Sequence, residues 1–125
     1  MELLIIALSS FFVFIFGKYD IMFKTLIFLM IIDYVTGVLN AKYNGTVSSK
    51  IGFKGVIKKV CLLAIVIISV FMDRLIGTDV IRTLVIFYFI SNEGISIIEN
   101  VSKVGISIPE ELINVINKLK DKFKK

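Results

Sequence analysis

The sequence contains no histidine and only one cysteine, Cys61. The first absence removes imidazole metal sites, Ser-His triads and histidine proton relays. The second excludes an intrachain disulfide, and the apolar run around Cys61 points to a small buried hydrophobe. No glycine-rich phosphate loop is present either. Two carboxylates for acid–base chemistry exist on paper, but no nucleophile or substrate cavity is signalled. The expectation is a non-enzymatic chain with no cofactor and no metal.

What the chain has in excess is apolar residues. Of its 125 residues 57% are hydrophobic, and the mean hydropathy is +0.91. Soluble domains run at about 45–50% apolar. The excess lies in long blocks, and a chain of this size leaves too much surface exposed to hide them in a soluble core. The reading is an all-α, polytopic membrane protein. Leu3 to Phe16 is the first block; it spans about 21 Å, short of the roughly 30 Å hydrocarbon core. It reads as a short or tilted span. A cleaved signal peptide fits less well, because Glu2 stands where a positive charge belongs. The second block runs from Ile21 to about Tyr43. The third is Ser49 to Met72, with Ser48 or Ser49 as cap. The fourth runs from near Asp79 to about Val101. Four transmembrane helices are expected, or three if the first block lies in the interface.

Residues 1–106 thus form a transmembrane domain, and residues 107–125 a tail. Ser107 and Glu110 have capping-box spacing, and Pro109 is tolerated in a first turn. Leu112, Ile113, Ile116, Leu119 and Phe123 then recur at helical spacing, which gives an amphipathic surface helix.

The net charge is +5 and the basic residues are clustered. Lys42, Lys50, Lys54, Lys58 and Lys59 lie between the second and third blocks with no acid among them, in a loop of about residues 42–59. Lys50, Lys54 and Lys58 form one stripe. Lys118, Lys120, Lys122, Lys124 and Lys125 close the chain. Both clusters adjoin membrane segments, so anionic lipid rather than nucleic acid is the expected partner. The positive-inside rule puts the lysine-rich loop and the C-terminus in the cytoplasm. With four spans the N-terminus is inside as well; with three it is outside.

Asp33 stands near the middle of the second block, where a charge costs about 2.5–3.5 kcal/mol on insertion scales. Asp33, Thr36, Gly37 and Asn40 follow i, i+3, i+4, i+7 and share a face. Gly37 and Ala41 allow close helix approach. The fourth block repeats the device with Glu93, Ser96 and Asn100 on one face, Arg82 and Phe89 along the same stripe, and Glu99 beside it. Three readings stay open: groups that satisfy one another inside a bundle, a self-association surface that becomes wet, or a proton- or cation-coupled transport site.

These residues also carry a likeness. "IDYVTGVLNAKYNGTVSSKIGFKGVIKK" and "ISNEGISIIENVSKVGISIPEEL" resemble the toxin-secretion/phage-lysis holin family of Gram-positive phages and clostridia. The shared pattern falls on Asp33, Thr36, Gly37, Ala41, Ser49, Lys50, Lys54, Gly55, Lys59, Glu93, Ser96, Glu99, Asn100, Gly105 and Pro109. It covers roughly Ile32 to Leu112. The resemblance implies a protein of the bacterial cytoplasmic membrane that assembles with itself. Its lesions would let an endolysin, or a large toxin without a signal peptide, cross with no direct contact. Two other functions remain beside it: a small ion channel or proton-coupled transporter using Asp33 and Glu93, and a structural scaffold subunit.

Overall fold

Turn-forming and charged residues cut the apolar chain into five helices. In the computed structural model, which describes residues 1–123, they are α1 (Glu2–Phe16), α2 (Ile21–Tyr43), α3 (Ser49–Ile76), α4 (Val80–Lys103) and α5 (Glu110–Phe123). There is no strand among the described residues. Helices α2, α3 and α4 are long and apolar enough to cross a membrane, whereas α1 is a shorter apolar helix of 15 residues. α3 runs one turn beyond the expected Met72 and stops at Gly77, whose φ of 73° is a left-handed C-cap that glycine adopts without strain. Two expected caps are not made. Ser48 occupies the N-cap position of α3 without a side-chain bond, and α5 starts only at Glu110, with the Pro109 carbonyl accepting from Leu112 and Ile113.

The three long helices meet along one seam each. On α2 the seam is Phe23, Leu26, Met30, Asp33, Gly37 and Asn40, and all of these are buried or half-buried. On α3 it is Gly52, Gly55, Lys59, Leu62, Val66, Ser69 and Asp73. On α4 it is Arg82, Ile86, Phe89, Glu93, Ser96 and Asn100. Steps of three and four alternate in every case, the spacing that keeps one line of side chains facing a neighbouring helix. α4 is the centre: it packs closely on α2 and along α3, while α2 and α3 barely touch.

The seams are segregated lengthwise. Phe23, Leu26, Met30, Leu62, Val66 and Ile86 make an apolar core, flanked by Phe12, Phe16 and Phe89. Asp33, Lys59 and Glu93 lie beyond it toward the lysine-rich connection. The opposite faces carry apolar residues outward, including Phe28, Ile31, Val35, Val38 and Leu39 on α2. The protein is therefore polar inside and apolar outside over half its length. Apolar seams gain no hydrophobic driving force in lipid, so packing and polar contacts carry association there.

At the far end a second polar group locks the connections. Asp73, 5% exposed, reaches from α3 to the first turn of α4. Its carboxylate accepts from Ile81 N (3.0 Å), Arg82 N (2.7 Å) and Thr78 Oγ1 (2.8 Å). It replaces the cap that Asp79, at the N-cap position, does not provide. Arg82 in turn donates to the Phe16 carbonyl (2.9 Å), the Lys18 carbonyl (2.7 Å) and Asp20 Oδ2 (2.9 Å). Arg74 donates to the Phe14 and Val13 carbonyls. Two arginines thus satisfy the open carbonyls at the C-terminus of α1. Gly17 is required here: its φ is 78°, and a Cβ would stand 2.9 Å from Arg82 Nε. Burial pushes the Asp20 carboxyl up, but the Arg82 guanidinium and the Phe23 N–H outweigh it and hold the group below 3.8. The sign follows: this contribution to stability is complete above pH 3.8 and is lost as pH falls through the lowered value.

The capping role is testable by comparing two aspartates in detergent-solubilised protein, with helical signal followed through denaturant unfolding. Asp73→Ala is expected to cost about 1–2 kcal/mol. Asp79→Ala is expected to stay within about 0.5 kcal/mol. Equal effects would remove Asp73 as the cap of α4.

Candidate functional site

The polar half of the three seams converges on one ammonium. Lys59 Nζ lies 2.7 Å from Asp33 Oδ2 and 2.9 Å from Glu93 Oε2. The side chains of Lys59, Asp33 and Glu93 are 18%, 16% and 8% exposed. Each comes from a different helix, so one cation ties α2, α3 and α4 together. The seam spacing puts it there. Lys59 is in step with Leu62, Val66 and Ser69, whereas Lys58 is one position off and stands exposed at the rim of the site.

Asn100 completes the grip on α2. Its Nδ2 lies 3.0 Å from Asp33 Oδ1, 3.1 Å from the Asp33 carbonyl and 3.1 Å from Thr36 Oγ1. Thr36 Oγ1 donates in turn to the Ile32 carbonyl at 2.8 Å. A methyl group at Gly37 would meet Asn100 Nδ2 at 3.6 Å, ordinary contact, so the α2–α4 crossing has room for alanine there. One turn on, Asn44 Nδ2 reaches Asn40 Oδ1 at 2.6 Å and the Lys103 carbonyl at 3.4 Å, which joins the ends of α2 and α4.

Because α2 and α3 barely touch, a groove of about 790 Å³ opens between them, with α4 as its floor. Asp33, Lys59, Glu93, Ser96 and Asn100 line the groove, together with Gly37, Asn40 and Ala41. Gly52 and Gly55 keep the α3 wall low: a Cβ at Gly52 would meet only the Tyr34 hydroxyl, at 3.5 Å, and one at Gly55 would meet nothing within 4 Å. The site has buried charge, hydrogen-bond donors and space. It has no cluster of metal-ligating residues among the described ones.

The sequence put most of these residues on one face of the second block and one face of the fourth, and left open whether the faces meet. Asp33, Thr36, Gly37, Glu93 and Asn100 meet, and Asn40, Ala41 and Ser96 border the same groove. Glu99 is exposed and stands outside the contact. Lys42, Lys50, Lys54, Lys58 and Lys118 are exposed. Lys59 departs from that group, because its seam register turns it inward to two carboxylates. Cys61 is exposed rather than buried, since it lies off the seam on the groove wall. Lys124 and Lys125 lie outside the described residues, as do the side chains of Lys120 and Lys122. Four residues that hold the opposite end, Asp20, Asp73, Arg74 and Arg82, were not read as a network. Their signal was Asp73 and Arg82 falling in the seam register.

The triad can be tested by its energetic asymmetry. Lys59→Met leaves two carboxylates without their cation and is expected to cost about 3–5 kcal/mol in detergent unfolding. Asn100→Ala is expected to cost about 1–2 kcal/mol. Lys58→Met, one residue away, is expected to stay within about 0.5 kcal/mol. Equal losses at Lys58 and Lys59 would mean that the triad does not hold the bundle.

Known proteins match the chain over nearly its full length. A sequence model described as the bacteriophage holin family covers residues 10–121. An uncharacterized 14.9 kDa protein of Clostridium perfringens is 39% identical, over 94% of this chain and 91% of that protein. Uncharacterized protein YtkC of Bacillus subtilis is 33% identical over 90% of this chain and 84% of its own length. A probable holin of Bacillus phage phi105 is 32% identical over 65% of this chain and 61% of that protein. No solved structure matches. With the family match spanning the triad, the groove and all three long apolar helices, the chain belongs to the bacteriophage holin family, a family of non-enzymatic membrane proteins.

Proposed function

We propose that this protein is a holin in the working sense: it accumulates in the bacterial cytoplasmic membrane as closed bundles, assembles with copies of itself and opens lesions. An endolysin, or a large toxin without a signal peptide, then crosses through the opening without binding to it. The observation that carries the reading is the distribution of polarity. Half of each seam is polar and faces inward, and the outer surface is apolar. In a single bundle the polar half is closed on itself through Lys59. In an assembly the same half-seams of several copies would face one another around water. Family membership and the phage relative support the same reading.

The lysine-rich connection and the C-terminal tail would face the cytoplasm, where anionic lipid attracts them. α5, whose lysines gather toward its end, would lie on that surface and adjust timing rather than form the lesion. α1 is held at its C-terminus by Arg74 and Arg82, so it would remain with the bundle as a short companion to three spans. A second reading, a small ion channel or proton-coupled transporter, is favoured by one observation: the groove reaches the triad. Release of a folded protein separates the two readings, since an ion path does not pass one.

The experiment uses bacteria that hold a folded cytoplasmic reporter enzyme. The parent, Asp33→Asn and Asp33→Leu are compared at matched membrane levels, by release of the reporter and by cross-linked oligomer size. Asp33→Asn keeps the shape and the hydrogen-bonding capacity and is expected to release reporter with altered onset. Asp33→Leu leaves Asn100 and Lys59 without that partner and is expected to insert but assemble wrongly or fail to open. Ion flux without reporter release by the parent would select the channel. Parent-like behaviour of Asp33→Leu would remove the polar seam from the mechanism.

A further inference from the structure

The triad does not balance. Asp33 and Glu93 bring two negative charges and Lys59 brings one positive. From α2 the groups facing the site are Asp33 and the Tyr34 phenol, from α3 Lys58, Lys59 and the Cys61 thiol, and from α4 Glu93. Lys58 is exposed at the rim and makes no ion pair among the described residues. The carboxylates also differ in their partners. Both oxygens of Asp33 are held, Oδ2 by Lys59 and Oδ1 by Asn100. Glu93 has one oxygen on Lys59, while its Oε1 has no described donor and is not sealed from the groove that Glu93 lines. Two carboxylates set against one ammonium in a mostly buried site leave one negative charge in excess, and a further cation would offset it.

We propose that the closed bundle binds one proton at this site, shared by the Asp33 and Glu93 carboxyl groups. A proton fits where a metal ion does not: the described residues offer no cluster of three ligating side chains here, and Lys59 Nζ already occupies the position between the two carboxylates. With the proton the triad is neutral and suits a low-dielectric interior. The proton enters from and returns to water in the groove, and its departure leaves one negative charge that favours a hydrated, open arrangement. The site is thus a proton-linked latch on the bundle. This holds whether or not the open state passes a macromolecule, so its test does not depend on the holin reading.

The test uses the full chain reconstituted in phosphatidylcholine vesicles at neutral pH in potassium buffer, with infrared detection of the C=O stretch of a protonated carboxylic acid. The parent is expected to show one such band, shifted in D₂O. Glu93→Gln leaves a neutral Asp33–Lys59 pair and is expected to lose it. Asp33→Asn leaves a neutral Glu93–Lys59 pair and is expected to lose it too, whichever carboxyl carries the proton. Glu110→Gln, on an exposed residue of α5, is expected to keep it. Circular dichroism checks that each variant is helical. No band in the parent overturns the proposal, and so does a band that survives in both Glu93→Gln and Asp33→Asn. A band that emerges only when potassium is replaced by a bulky organic cation also overturns it, because the site would then hold the metal cation instead.

Discussion

The ammonium of Lys59, held between Asp33 and Glu93, is the contact on which the closed bundle depends. Among the described residues it is the one point where all three long helices meet through charge, and it lies where lipid would offer no solvation. α2 and α3 barely touch, so without this bridge they would be joined only through α4. In a membrane the apolar halves of the seams pack without a hydrophobic driving force. A buried ion cluster is a precarious way to add cohesion: its Coulomb attraction is offset by desolvation, and removal of one member leaves the others stranded. The same precariousness makes the cluster suited to a protein that must change state.

Function follows from that balance. A wholly apolar seam would associate and never open to water; a wholly polar one would not insert. Here the seam is apolar where α1 and the aromatic cluster of Phe12, Phe16 and Phe23 close the far end, and polar where α2 and α3 separate. The far end carries its own lock, in which Asp73 caps α4 and Arg82 gathers the end of α1. Under the proposed function, the lock at one end and the open groove at the other would let the polar halves exchange partners between copies while the helices stay paired at the far end. Two arrangements close in free energy are what an assembly switch needs, and one proton on the triad would shift the balance between them.

Much of this was legible in the sequence because it is periodic. The five helices follow from apolar blocks and turn residues, and spacing puts Asp33, Thr36 and Gly37 on one face of α2 and Glu93 and Asn100 on one face of α4, while leaving open whether the two faces meet. Lys59 was not so legible, because composition groups it with its neighbours in a basic run. Its register does not: Lys50, Lys54 and Lys58 step by four along one stripe, and Lys59 falls off it, in line with Leu62 and Val66. The network of Asp20, Asp73, Arg74 and Arg82 was hidden for another reason. Those residues sit at helix ends, where charges near a membrane surface are ordinary. Only the tertiary arrangement reveals that Asp73 caps the next helix and that two arginines satisfy carbonyls of the first. The exposure of Cys61 was missed because an apolar neighbourhood in a membrane helix says nothing about which way a side chain faces.

In this protein the polar half-seam is tied by the triad and reached only through the groove in the single bundle, and it would open wholly to water in the assembled state. The most direct measurement is labelling of a cysteine at Ser96, in a Cys61→Ala background, by a water-soluble thiol reagent. It is followed through the onset of permeabilisation, with Ile86→Cys in the apolar half as reference. Labelling at position 96 is expected to be slow before onset and to rise greatly at onset, while labelling at position 86 stays slow throughout. Labelling at 96 that is unchanged across the onset, or that rises equally at 86, would contradict it.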